Sequence, residues 1–432
     1  MNKRAKKTKV IATLGPASST KEIMLELVKA GADVFRINFS HADYELVKRN
    51  VDIIREINQE YGYNISILGD LQGPKLRVGV VKEGSFLNPG DVLTFTNEPC
   101  EGDSTKVFMT YEKFPQDVKV GERILIDDGK LVFEVIETNQ KDTVKAKTIQ
   151  GGPLSSKKGV NLPNTNVSLP ALTEKDIEDA KFMIENEFDW IALSFVRHAQ
   201  DIIDLKKLIQ AHSDFKIPII AKIEKPEGVK NIDEILLECD GLMVARGDLG
   251  VEVPMEEVPV IQKKLVDKAR YYSKPVIIAT QMMETMISSL TPTRAEVNDV
   301  ANNVLDGADA VMLSGETSVG KYPVDVVKNI TKIIKNIEST NLYEKKNDII
   351  EKITCVDDRF VTDMVCLNAV KIAETTGAAA IITLTHSGYT AFQISAHRPT
   401  SRIIVYSSNR RVLTMLNLLW GVRAFYYDMN KS

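Results

Sequence analysis

Several apolar runs of this 432-residue chain end in side chains able to meet an anion or a metal ion. Arg36, Asn38, Ser40 and His41 close one run, and Asp70, Gln72, Lys75 and Arg77 close the next. Further on, Lys222 precedes Glu224, Arg246 precedes Asp248, Thr280 precedes Gln281, and Ser314 precedes Glu316. Glu224 and Asp248 are oxygen ligands suited to a hard cation such as Mg²⁺ or Mn²⁺, which keeps waters and binds substrate oxygens. Lys222, Arg36 and Arg246 supply positive charge against a carboxylate or a phosphate. Phosphoryl transfer asks for little beyond such positioning and charge neutralisation, so the want of a nucleophile–histidine pair is no objection to it. Gly247, without a side chain, lets backbone amides come close to a ligand.

Each of these residues also has a plainer reading. A Lys222–Glu224 pair at a strand end is often only a structural ion pair, and Arg246 can equally brace Glu224 or a neighbouring chain. Asp127 and Asp128 in IDDGK read first as turn residues, and Asp248 after Gly247 can be one too. His212 and His397 read as surface helix residues, whereas His41 sits among the polar strand-end groups. The SVGKYP stretch lacks the spacing of a phosphate-binding loop.

The elements that must position these groups alternate regularly. Strand runs are expected at 8–13, 33–38, 65–70, 189–194, 217–223, 240–245, 275–279 and 309–314, with helices such as Thr20–Ala30, Asp201–His212, Val258–Tyr272 and Thr293–Leu305 between them. Eight strands with covering helices fit a (β/α)8 TIM barrel, whose site lies at the C-terminal strand ends. The alternation breaks between about Val78 and Asn164, where short extended pieces and Gly, Pro and Asp turns predict a small β-barrel domain inserted as a lid. After Ser339 a polar stretch, NLYEKKNDIIEK, leads to a third α/β pattern with helices at Arg359–Thr375, Gly388–Ala396 and Arg410–Leu419 and strands at Ala379–Leu384 and Arg402–Tyr406. The expected organisation is a barrel over 1–73 and 165–340, a lid over 74–164, and an open, truncated α/β domain over 341–432.

Composition sets limits. Hydrophobic residues make up 44% and charged residues 26%, as in a globular protein, and the net charge of −4 argues against affinity for nucleic acid or anionic membranes. No apolar run is long enough to span a bilayer. The basic start (Lys3, Arg4, Lys6, Lys7, Lys9) runs straight into a strand, unlike a signal peptide. Cys100, Cys239, Cys355 and Cys366 have no metal or redox spacing and read as reduced thiols of a cytoplasmic protein.

Taken in order, TLGPAS, RINFSH, GDLQGPKLR, ILIDDG, KGVNLP, ALSFVR, KIEKPEGV, MVARGDLGVE, ATQMMETMI, the long PTRAEVNDVANNVLDGADAVMLSGET and YPVDVV resemble the pyruvate kinase family, from the first strand to about Trp420. The resemblance implies phosphoryl transfer from phosphoenolpyruvate to ADP with Mg²⁺ or Mn²⁺, in a homo-oligomer. It implies that Lys222 stabilises the moving phosphoryl group, that Glu224 and Asp248 ligate the cation, and that Arg36 holds the phosphate. The Gly247 and Asp248 amides with Thr280 would hold the carboxylate, Asn38, His41 and Arg77 would face the nucleotide, and Ser314 and Glu316 would help deliver the proton. A lyase or aldolase barrel, or a silent binding relative, is the alternative.

Three departures from the common family pattern carry expectations. Lys75 stands where K⁺-dependent members have Glu, a fixed ammonium in place of a bound monovalent ion, so K⁺ is not expected to be required. His198 follows Arg197 where many members have a lysine near the nucleotide phosphates. Thr385, Ser387 and Thr390 match the effector-phosphate turn at a helix N-terminus, but the segment that would close over an effector is not in the sequence, so weak or no sugar-phosphate activation is expected.

Overall fold

The computed structural model describes residues 6–340 and 358–428, with every side chain except that of His41. Lys3, Arg4, Cys355 and the polar stretch at 341–352 lie outside these residues.

The chain begins with three parallel strands, β1 (Lys9–Thr13), β2 (Val34–Asn38) and β3 (Ser66–Asp70). Their near-continuous burial explains the mostly apolar runs, because strands covered by helices outside and packed side chains inside have no solvent-facing side. Helices between them are bounded by strong local signals. Thr20 accepts from the Ile23 amide at the start of Lys21–Ala30, and Gly31 ends that helix at φ 124°.

After β3 come eight short strands: β4 (Phe86–Leu87), β5 (Val92–Thr96), β6 (Lys106–Phe108), β7 (Arg123–Ile126), β8 (Leu131–Thr138), β9 (Thr143–Gln150), β10 (Gly152–Pro153) and β11 (Val160–Asn161). Six pair in the order β11-β7-β8-β9-β5-β6, and β10 pairs with β4 as a ribbon. Phe95 anchors the core of this insert, meeting Phe114 and Phe133 edge-on at 5.6 and 5.7 Å between ring centres. Asp127 and Asp128 both adopt positive φ in the tight turn between β7 and β8.

The barrel resumes with β12 (Trp190–Leu193), β13 (Ile219–Ile223), β14 (Gly241–Ala245), β15 (Val276–Ala279) and β16 (Ala310–Leu313), and closes in the order β1-β16-β15-β14-β13-β12-β3-β2. Each observed strand lies inside its sequence-predicted run. The parallel register sets Thr13 beside Arg36, Asn38 beside Asp70, and Asp70 beside Ala192, so polar groups from three neighbouring strands gather near the mouth.

A second parallel sheet, β17 (Ala380–Leu384), β18 (Arg402–Ser407) and β19 (Val422–Tyr426), has helices Phe360–Thr376, Tyr389–Ala396 and Arg410–Met415 around it. It packs against the N-terminal ends of the barrel strands, opposite the mouth. Trp190 at the start of β12 donates Nε1–H to the Met415 carbonyl at 2.9 Å, and Arg398 forks onto Asp309, just before β16, at 2.9 and 2.7 Å. The interior side chains Ile11, Val34, Leu68, Trp190, Ile220, Met243, Ile277 and Met312 belong to one apolar cluster with Leu416, Leu418, Trp420 and Val422 of this unit. His397 corrects an expectation: it caps a helix end as a half-buried group rather than a surface one. Burial, with the like charge of Arg270, pushes its imidazole down to about 4.

Candidate active site

Lys222, the penultimate residue of β13, is the centre of the mouth. Its Nζ lies 3.0 Å from Asp70 Oδ1, 2.6 Å from Ser194 Oγ and 3.1 Å from Glu224 Oε1, and the residue is 9% exposed. Burial alone would discharge the ammonium, but Asp70 and Glu224 outweigh it and hold the group well above the ordinary lysine range. Asp70 is shared: its other oxygen takes Arg36 Nε at 2.7 Å, while Arg36 Nη1 donates to Thr13 Oγ1 at 3.1 Å. Burial works against ionising Asp70, yet Lys222 and Arg36 together keep its carboxyl below the usual carboxylate range.

Glu224, 1% exposed, takes the Phe195 amide at 2.7 Å through Oε2 and faces Lys222 through Oε1. Burial pushes its carboxyl up to about 6 against the pull of Lys222, and the like charge of Asp248 adds to the rise. Asp248, exposed on the short helix Arg246–Glu252, acts electrostatically on Glu224, Lys222 and Lys75 alike. A buried carboxylate that resists carrying its own charge, with a second acid at the solvent side, suits a divalent cation whose remaining positions go to water and substrate.

The other predicted residues divide. The Gly247 amide donates to Thr280 Oγ1 at 2.8 Å, and Thr280 sits at φ 67°, so these two form one small cradle. Arg246 does not reach Glu224. It forks onto Asp299 at 2.7 and 2.9 Å and holds the Thr280 carbonyl at 2.8 Å, bracing that cradle. Glu316 is buried and spends both oxygens on backbone amides, Ser314 at 2.6 Å and Met283 at 3.1 Å, which fixes the turn that carries Ser314. Asn38 accepts the Ser40 amide at 3.1 Å at the rim.

Between the mouth and the insert runs a cleft of about 300 Å³ whose lining includes Lys75, Arg77, Lys157, Lys158, Arg197 and Asp248. Burial, joined by the like charge of Arg77, lowers the Lys75 ammonium from its ordinary value, while Asp248 opposes the fall. Asn161 of the insert donates to Glu252 Oε1 at 2.8 Å, and Lys225 pairs with the same oxygen at 2.6 Å, tying the cleft's two walls. His198 lies just outside, with Nδ1 3.0 Å from Asn231 Nδ2. Thr385, Ser387 and Thr390 sit apart from all this, around the start of the helix Tyr389–Ala396; Thr385 Oγ1 accepts the Gly388 amide at 2.9 Å.

Sequence reasoning named Asp70 only as a polar strand end and passed over Thr13, Ser194 and the Phe195 amide. Neutral hydroxyls and backbone groups carry no charge pattern to betray them.

A family model described as the pyruvate kinase barrel domain matches residues 5–327, and one described as the pyruvate kinase alpha/beta domain matches residues 363–432. The chain belongs to the pyruvate kinase family. It is 44% identical to pyruvate kinase 2 of Synechocystis over 97% of this chain and 70% of that one, and 42% identical to the pyruvate kinase of Mycobacterium intracellulare over 99% and 89%. A crystal structure of a pyruvate kinase from Cryptosporidium parvum superposes with a TM-score of 0.93 at 36% identity, covering 98% of this chain and 87% of that one. Pyruvate kinases are phosphotransferases that use phosphoenolpyruvate and ADP and generally depend on Mg²⁺. Among the described residues no helix is long and apolar enough to cross a membrane.

Proposed function

We propose that this chain transfers the phosphoryl group of phosphoenolpyruvate to ADP at the barrel mouth, with Lys222 as the group that meets the phosphoryl in flight. The observation that carries the reading is the Lys222 ammonium, kept charged in a buried setting by Asp70 and Glu224. Charge fixed in a water-poor site stabilises a transition state more than the same charge in water.

Arg36, held rigid by Asp70 and Thr13, grips the phosphate. Thr280 and the amides of Gly247 and Asp248 orient the carboxylate, and Arg246 keeps that cradle in place through Asp299. Glu224 and Asp248 hold Mg²⁺ or Mn²⁺, which supplies positive charge to the phosphate oxygens. Asn38, His41 and Arg77 face the nucleotide, whose phosphates the lysine-lined cleft suits. The β-phosphate oxygen of ADP attacks phosphorus as the bond to the enol oxygen breaks, and the enolate gains its proton at carbon from the side of Ser314, with Glu316 shaping that turn. Lys75 serves as the fixed monovalent charge, so K⁺ is not needed. Thr385, Ser387 and Thr390 are read as a weak anion turn for an effector phosphate, and the chain as a cytoplasmic homo-oligomer.

A coupled assay with phosphoenolpyruvate, ADP and Mg²⁺ tests the reading. Steady formation of pyruvate and ATP is expected. No turnover with any divalent cation would overturn it.

A further inference from the structure

The end of β12 contributes no charge to the mouth, yet it touches both charged groups at its centre. Ser194 follows directly on β12 and is 1% exposed. Its hydroxyl donates to the Leu71 carbonyl at 2.7 Å, and the Leu71 amide in turn donates to the Ala192 carbonyl at 3.0 Å. The side chain thus adds one bond to the β3–β12 ladder just past the point where the backbone stops supplying them.

That bond settles where the hydroxyl proton goes. A serine oxygen has one donor and two acceptor sites. With its proton committed to Leu71, Ser194 can only accept from Lys222, whose Nζ lies at 2.6 Å, the shortest of the ammonium's contacts with Asp70, Glu224 and Ser194. Asp70 and Glu224 hold the charge but do not fix its place uniquely, because a carboxylate attracts an ammonium over a broad range of directions. A neutral oxygen anchored to the neighbouring strand is a directional stop.

The next residue supports the same arrangement. Phe195 adopts φ 55°, and its amide donates to Glu224 Oε2 at 2.7 Å. A non-glycine residue in this region costs energy and persists where the surroundings hold it. Gly73 helps hold it: a Cβ there would lie 2.7 Å from the Phe195 ring and 2.9 Å from the Ser194 Cβ.

We propose that Ser194 is a positioning residue for Lys222, its Leu71-anchored hydroxyl fixing the ammonium at the point where the transferring phosphoryl group passes. The inference rests on the role assigned to Lys222 above. Misplacing a catalytic charge by about 1 Å can cost about 10²-fold in rate. Nothing in the contact binds the metal, so cation affinity should be indifferent to it.

The test uses the full chain with three substitutions. Ser194→Ala and Ser194→Cys remove the strong oxygen acceptor, one by truncation and one at similar size; Ser194→Thr keeps it. The expected result is a fall in kcat of about 10- to 100-fold for Ala and Cys, with the Kd for Mn²⁺, read by electron paramagnetic resonance on the substrate-free protein, within twofold of the parent. Ser194→Thr should recover at least a third of the parent kcat. If kcat stays within threefold in Ala or Cys, or falls as far in Thr as in Ala or Cys, the inference is overturned. If one variant fails to fold, the others decide the outcome by the same criteria. Lys222→Met in parallel separates the two failures: a normal rate there overturns the role of Lys222 itself, whereas a lost rate there with a normal Ser194→Ala overturns only the positioning.

Discussion

Asp70 Oδ1 lies 3.0 Å from Lys222 Nζ, with both side chains nearly removed from water. Asp70 also holds Arg36, so a single acid orders two buried cations of the barrel mouth.

Replacing Lys222 with Met leaves the Asp70–Arg36 pair in place and deletes only the charge at the centre. We expect kcat to fall by about 10³-fold or more, since the loss is of electrostatic stabilisation in the transition state. A coupled assay gives the rate, and an unchanged circular dichroism spectrum confirms that the fold survives.

Lys75 predicts independence from monovalent ions. Its ammonium shares the electrostatic neighbourhood of Lys222, Glu224 and Asp248, where a bound ion of the same charge would act. Exchanging K⁺ for tetramethylammonium at constant ionic strength should leave kcat within about twofold, no more than a single exposed charge contact is worth. A drop of tenfold or more would refute the assignment.

Glu224 predicts a pH-dependent metal affinity. Its carboxyl stands at about 6 in the fold against 4.5 ordinarily. Below pH 6 a cation must displace a proton, so the apparent affinity for Mn²⁺ should fall about tenfold per pH unit there and level off above. In the metal-free protein the sign is opposite to that of a salt-bridged acid: the unfolded chain loses this proton first, so the group's contribution to stability falls as pH rises from 4.5 through 6. Glu224→Gln should abolish both effects, read by metal titration and by denaturant unfolding at pH 5 and 7.

The Arg398–Asp309 pair joins the second sheet to the base of the barrel, with both side chains almost fully buried. Arg398→Ala strands a carboxylate there, at a cost of about 3–5 kcal/mol for a buried pair that loses one partner. The lower end is expected, because Asp309 also accepts the Val276 amide at 3.0 Å. Urea unfolding measures it.

Much of this was legible in the sequence, for identifiable reasons. The eight barrel strands are largely apolar runs because they are buried on both faces, and Thr20 and Thr293 mark helix starts by their side-chain caps. Charged residues at strand ends could be found because charge is rare beside such runs. Ser194 and Thr13 could not, since a hydroxyl after a strand is unremarkable until its partners are known. Arg246 and His397 were misjudged for a related reason: Asp299 lies 53 residues away from Arg246, and His397 is half-buried beside Arg270, which lies more than a hundred residues earlier in the chain.

The apolar filling of the barrel does not end at the barrel. It passes through the floor into Leu416, Leu418 and Trp420, so two topologically separate units share one interior. Heat should therefore melt them together, in a single calorimetric peak. A chain cut off after residue 340 would lose the covering of that interior, and it should cling to its neighbours in solution instead of standing alone as an enzyme.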